Sequence, residues 1–128
     1  MTESIEALTP LQLEILGILW ERGQATSAEI REALGPERDL ALSTVATLLS
    51  RLEKRKIVAH RRDGRQFKYS ARVTRGRVRE SHVRGLTESL FGGDATALVS
   101  HLIDRSEVPS DELERIRQLL ERAGGAGE

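Results

Sequence analysis

Between Leu42 and Ser70 the spacing of apolar side chains changes from helical to alternating, with no linker in between. In "LSTVATLLSRLEKRK", Val45, Leu48, Leu49 and Leu52 recur at i, i+3, i+4 and i+7, which lines them along one side of an α-helix. The overlapping stretch "KIVAHRRDGRQFKYS" alternates around Asp63-Gly64, a pair favoured in type I′ hairpin turns. A helix running straight into a short hairpin has to share a core with it, because neither element buries its apolar side alone. With Asp63-Gly64 as the turn, Val58 is expected opposite Tyr69, His60 opposite Phe67 and Arg62 opposite Arg65. Val58, Phe67 and Tyr69 then share a face, and Arg61, Arg62, Arg65 and Lys68 gather at the tip and outer edge.

Two helices precede this unit. Thr9-Pro10-Leu11-Gln12 opens the first with a capping box and a proline at the first helical position, stapled by Leu8 and Leu13. Leu11, Ile15, Leu16, Leu19 and Trp20 supply its apolar stripe, with Trp20 expected in the core, and Gly23 ends it. Thr26-Ser27-Ala28-Glu29 repeats the capping box, so a second helix is expected from about Ser27 to Leu34, with Ile30, Ala33 and Leu34 facing inward. Three helices followed by a basic hairpin is the order of a winged helix-turn-helix.

The outer face of the third helix carries Ser43, Thr44, Thr47, Ser50, Arg51 and Lys54, whereas a face chosen for solubility alone more often holds Glu, Lys, Gln and Ala. Short hydroxyl side chains let a helix approach the floor of the DNA major groove. Ser43, Thr44 and Thr47 are therefore read as base-facing. Ser50, Arg51 and Lys54, together with Arg61, Arg62, Arg65 and Lys68 on the hairpin, are read as contacts to the DNA backbone. The rival reading, a winged helix that only holds another protein, calls for an apolar or acidic third-helix face.

A formal charge of zero conceals a strong asymmetry. Residues 1–40 hold 3 Lys/Arg against 8 Asp/Glu, residues 41–85 hold 13 against 3, and residues 86–128 hold 4 against 9. A basic block on a folded unit is the footprint of a polyanion-binding surface, and a solvated basic face without a partner is the plainer alternative.

Beyond Thr74 the helical period returns: Val78, Val83, Leu86, Leu90 and Phe91 form a stripe that Gly92-Gly93 ends. Asp94 then caps a short helix with Leu98, Val99, Leu102 and Ile103, and Ser110 caps a last one with Leu113, Ile116, Leu119 and Leu120. Three such helices make a thin core, so they are expected to pack on a second copy of themselves, a cap folded back on the same chain being the alternative. The expected interface comprises Val78, Leu86, Leu90, Leu98, Leu102, Leu113, Ile116 and Leu120. The fold class is thus mainly α with a small β-hairpin: a winged-helix DNA-binding domain over 1–73, a helical dimerisation region over 74–123, and a disordered tail over 124–128.

Without cysteine the chain has no disulfide, thiolate metal site or cysteine nucleophile, and His60, His82 and His101 lack a zinc-like spacing. No cofactor or metal is expected. Gly-rich phosphate loops, HExxH and GxSxG are absent, and the consecutive Glu80, Ser81 and His82 diverge around a helix, so catalysis is not expected. No apolar run reaches membrane-spanning length and the N-terminus lacks a signal-peptide core, so the expectation is a soluble cytoplasmic protein without membrane insertion.

The runs "LTPLQLEILGILWERGQATSAEIREAL" and "LALSTVATLLSRLEKRKIVAHRRDGRQFKYSARV", with the helical tail, resemble the penicillinase-repressor family of BlaI/MecI type. The resemblance implies a homodimeric repressor on a palindromic operator of double-stranded DNA. It also implies release by a signal-dependent proteolysis or effector event, in which a membrane sensor metalloprotease is the partner and cleavage falls in the dimerisation region. Antibiotic resistance is one regulon open to such a protein. Thr44 and Thr47 match hydroxyl positions that face bases in the family, and Arg51 matches a cation near the backbone. Ala46 replaces a longer side chain found in several members, and His101-Leu102 stands where staphylococcal-type members carry the Asn-Phe cleavage pair. The cysteine-rich C-terminal motif of a copper-responsive branch has no counterpart here.

Overall fold

The computed structural model describes residues 5, 7–105 and 108–126. Helices α1 (Pro10–Arg22), α2 (Ser27–Leu34) and α3 (Leu42–Lys54) are followed by strands β1 (Val58–Asp63) and β2 (Gln66–Ala71). Helices α4 (Arg75–Phe91), α5 (Ala95–Asp104) and α6 (Ser110–Ala126) complete the order. Both capping boxes form. Thr9 Oγ1 accepts from the Gln12 N–H at 3.2 Å while Gln12 Oε1 accepts from the Thr9 N–H at 3.0 Å. Thr26 and Glu29 repeat the exchange at 3.1 and 2.8 Å. The Thr26 backbone N–H holds the Glu29 carboxyl below its ordinary range.

By compactness the chain divides into Met1–Gly85 and Leu86–Glu128. In the first unit Ile15, Leu16, Leu19, Ile30, Val45, Leu49, Leu52, Ile57 and Val58 are at most 1% exposed and form one cluster with Tyr69 and Val73. The hairpin joins this core through a third short strand segment: Ala25 and Tyr69 exchange backbone hydrogen bonds at 3.0 and 2.8 Å. Trp20 is half-buried at the rim, not in the core. Its Nε1–H donates to the Val73 carbonyl at 2.9 Å, and the Arg75 guanidinium lies 5.3 Å from its ring centre. A polar ring edge with a partner at the surface explains the placement. Ala33, expected inward, is exposed, because α2 has only one buried position, Ile30, in its two turns.

The hairpin register differs from the sequence expectation by one pair. Val58 faces Ala71, His60 faces Tyr69, Arg62 faces Phe67 and Asp63 faces Gln66, so the two loop residues are Gly64 and Arg65. Gly64 has a φ of 66° and Arg65 is not in the left-handed region, the pattern of a turn that needs glycine only at its first central position. Asp63 therefore ends β1 instead of entering the turn. Both strands keep their faces, since the pairing moved by an even number of residues. Arg62 gains an aromatic neighbour in place of a like charge.

Helix α3 ends in a Schellman motif that no glycine announces. Lys56 lies at φ 63°, its N–H donating to the Glu53 carbonyl at 2.9 Å and that of Ile57 to the Leu52 carbonyl at 3.0 Å. A side chain held in this region costs free energy that glycine does not. Lys56→Gly is expected to stabilise the unit by ~0.5–1 kcal/mol, read as a raised midpoint in urea at unchanged m-value.

In the second unit α5 has no buried residue, and Leu86, Leu90, Leu102, Leu113 and Leu120 are exposed, while Leu98 and Ile116 are half-buried. Val78 departs from this group. It is 3% exposed and belongs to the first unit's cluster, so it is already covered within one chain and cannot face a second copy. Accordingly the compact division falls at Gly85, inside α4, instead of at residue 73. Positive φ at Gly92 and Gly93 ends α4, and Asp94 Oδ1 accepts from the Ala97 N–H at 3.2 Å. Ser110 lies inside the first turn of α6, not at its cap, since the Leu113 N–H donates to the Pro109 carbonyl at 2.9 Å. Helix α6 continues to Ala126, through three residues expected as tail; residues 127–128 lie outside those described.

Candidate nucleic-acid interface

Helix α3 separates its two faces cleanly. Val45, Leu49 and Leu52 are fully buried, whereas Ser43, Thr44, Thr47, Ser50, Arg51 and Lys54 are all exposed. Leu48 stands half-buried at the border. Ser43, Thr44, Thr47, Leu48 and Arg51 line one shallow open concavity, so all three expected base-reading residues share one surface.

The hydroxyls are not equivalent. Thr47 Oγ1 donates to the Ser43 carbonyl at 2.9 Å, the backbond a helix offers threonine. Its proton is spent, leaving an outward lone pair and a methyl group. Those suit an amino group of adenine or cytosine, or a thymine methyl, better than an acceptor edge. At the N-terminus of α3 the capping position is Ala41, which supplies no side-chain acceptor; the Thr44 N–H donates to the Ala41 carbonyl at 3.0 Å, and those of Leu42 and Ser43 have no side-chain cap. Their partial positive charge complements the basic block.

On the hairpin, strand alternation divides the cations between faces. Arg61 and Lys68 are cross-strand partners on one face, Arg62 lies on the other, and Arg65 occupies the turn. Lys68 is the least available: its side chain is 28% exposed and its Nζ lies 3.2 Å from Asp63 Oδ2. The Nε–H of Arg61 donates to Gln24 Oε1 at 3.3 Å, and the Arg62 guanidinium stands 5.6 Å from the Phe67 ring centre. Arg65 is exposed at the tip.

Sequence reasoning overlooked three side chains here. Phe67 is 43% exposed and supports Arg62. Glu53 and His60 form a pair across the helix–strand junction, His60 Nδ1 lying 2.7 and 2.8 Å from the two carboxylate oxygens. Helical and strand periods each describe one element, so neither predicts a contact between the end of α3 and the middle of β1. The Tyr69 phenol is raised above its ordinary value first by burial and then by the Glu53 carboxylate, which places that charge near the root of the hairpin. Among the described residues no cluster of His, Asp or Glu has the makings of a metal site, and no helix is long and apolar enough to cross a membrane.

The family model described as penicillinase repressor matches residues 8–122. An uncharacterised 16.5 kDa protein of Latilactobacillus sakei is 31% identical over 120 residues, covering 94% of this chain and 82% of that protein. The methicillin resistance regulatory protein MecI of Mammaliicoccus sciuri is 23% identical, covering 90% of this chain and 94% of its own. Among solved structures, the DNA-binding domain of the repressor BlaI is similar at a TM-score of 0.51 and 23% identity, over 58% of this chain and 90% of that domain. A Staphylococcus aureus MepR variant bound to an oligodeoxyribonucleotide is similar at a TM-score of 0.51 and 22% identity, over 94% of this chain and 80% of its own.

Proposed function

Because the chain belongs to the penicillinase-repressor family, we propose that it represses transcription by holding a palindromic operator as a homodimer, α3 reading the major groove and the hairpin gripping the adjacent backbone. The family is one of repressors, not enzymes. One observation carries the reading. An exposed face of short hydroxyls and cations on α3 and a cationic hairpin tip belong to one compact unit. A winged helix that only holds another protein would be expected to carry an apolar or acidic face there.

Selection from a random duplex pool tests the reading, with a palindromic winner expected and an absence of enrichment counting against it. In the selected site, replacing Thr44 or Thr47 with a bulky residue is expected to cost ~1–3 kcal/mol on the operator and little on scrambled duplex. Equal losses on both would remove the base-reading role.

The dimer is supported by exposed Leu86, Leu90, Leu102, Leu113 and Leu120, apolar surface that one chain leaves in water. A chain ending after Gly85 keeps Val73 and Val78 in its core and is expected to sediment as a folded monomer, while the full chain sediments as a dimer. A dimer that survives this truncation would move the interface elsewhere. Release through a membrane sensor metalloprotease follows from the family resemblance. At His101-Leu102 the bond lies within α5, so its cleavage requires that helix to open locally first.

A further inference from the structure

The hairpin leaves the core early. Val58 is buried and Ala59 half-buried, but every residue from His60 to Phe67 is exposed. Beyond the Ala25–Tyr69 backbone pair at its root, ladder hydrogen bonds hold the strands only to each other, so the placement of the basic tip relative to the helices depends on side chains that cross from the strands. Such ties lie on both faces of the hairpin. On one, Arg61 reaches Gln24 through a long hydrogen bond of 3.3 Å. On the other, His60 Nδ1–H donates to both oxygens of Glu53 at 2.7 and 2.8 Å, with the imidazole seated 4.4 Å from Phe67 and 5.5 Å from Tyr69, centre to centre. The short, charge-assisted tie is the stiffer one.

Glu53 is conspicuous for its sign. The segment 41–85 has 13 basic and 3 acidic residues, and this carboxylate sits on the very helix that carries the cationic face. Toward a polyanion it is unfavourable by simple Coulomb repulsion. Its gain lies in what it holds. We propose that Glu53 is a positioning residue: by fixing His60 it locks the basic hairpin to α3, so that the base-reading and backbone-gripping surfaces meet one duplex as a unit. This rests on the DNA-binding reading above.

Charge and positioning predict opposite signs. If the carboxylate acts only through its charge, Glu53→Ala tightens binding to every duplex; if it positions the hairpin, the same change loosens the operator complex. The test uses the full chain with Glu53→Ala, His60→Ala and the double substitution, on selected operator and scrambled duplex. Each single change is expected to weaken operator binding about tenfold, the double change no more than either alone, and Glu53→Gln, whose amide oxygen still accepts from His60, to retain most of the parent affinity. Amide hydrogen exchange on the DNA-free protein reads the lock directly: hairpin amides should exchange several-fold faster in both single variants, with α3 core amides unchanged. Unchanged hairpin exchange, or tighter binding of Glu53→Ala to both duplexes, overturns the proposal. A parent protein that binds no duplex refutes the DNA-binding reading instead, and the exchange measurement still decides the lock.

Discussion

Replacing Arg61 and Arg65 with alanine in both protomers of the proposed dimer is expected to weaken binding to operator and scrambled DNA alike, by about a hundred- to a thousandfold at physiological salt. Each phosphate contact on B-DNA contributes about 0.9 to the slope of log affinity against log salt, so losing two to four contacts makes the slope shallower by ~2–4 units. The geometry selects these two residues. Arg65 stands exposed in the turn, and Arg61 commits only its Nε to Gln24, whereas Lys68 faces Asp63 and Arg62 lies against Phe67. Replacing Lys68 should therefore cost less than replacing Arg65. Isotherms at four or more salt concentrations decide the matter: a parental slope in the double variant would remove the hairpin from the backbone contacts. Loss confined to the operator would make the arginines readers of sequence.

Leu49→Ala is expected to lower the stability of the first unit by about 2–5 kcal/mol. Leu49 is fully buried on the inner face of α3, in the cluster that holds Ile15, Leu16 and Ile30, so the deleted methyl groups leave a cavity with no solvent to fill it. A loss of about 3 kcal/mol corresponds to a fall in Tm of ~12–24 °C for a domain of this size. The consequence for DNA binding differs in kind from the arginine variant. Below its lowered Tm the protein should keep the parent's salt slope, because the exposed cations are untouched. Leu120→Ala supplies the contrast. Leu120 is 67% exposed, so its loss should leave the first unit's unfolding unchanged and shift dissociation of the proposed dimer to higher protein concentration. Calorimetry with sedimentation at matched concentrations measures both; a Leu49→Ala protein with parental Tm would mean that the α3 core face is wrongly assigned.

The local features of this fold were legible in the chain because each depends on neighbours in sequence. Two capping boxes, the buried stripe at Val45, Leu49 and Leu52, the glycine end of α1 and the Asp94 cap all arise from side chains within about one helical turn of the backbone they serve. The exposed hydroxyl-and-cation face of α3 follows from the same period, since burying one stripe leaves the opposite one in solvent. Where the reading missed, a contact between distant segments decided the outcome. Aspartate-glycine is acceptable in more than one turn, and Gly64 adopted the first loop position while Ala25 paired with Tyr69 at the hairpin's root. Trp20 moved to the rim to meet the Val73 carbonyl, and Val78 turned from expected interface to core. Lys56 took a left-handed conformation because Ile57 had to enter the core directly after α3. By itself the sequence determined which elements form and which faces of them are polar. Only the tertiary structure decided which cations remain available and that Glu53 meets His60, because both depend on how separate elements are brought together, which no local period encodes.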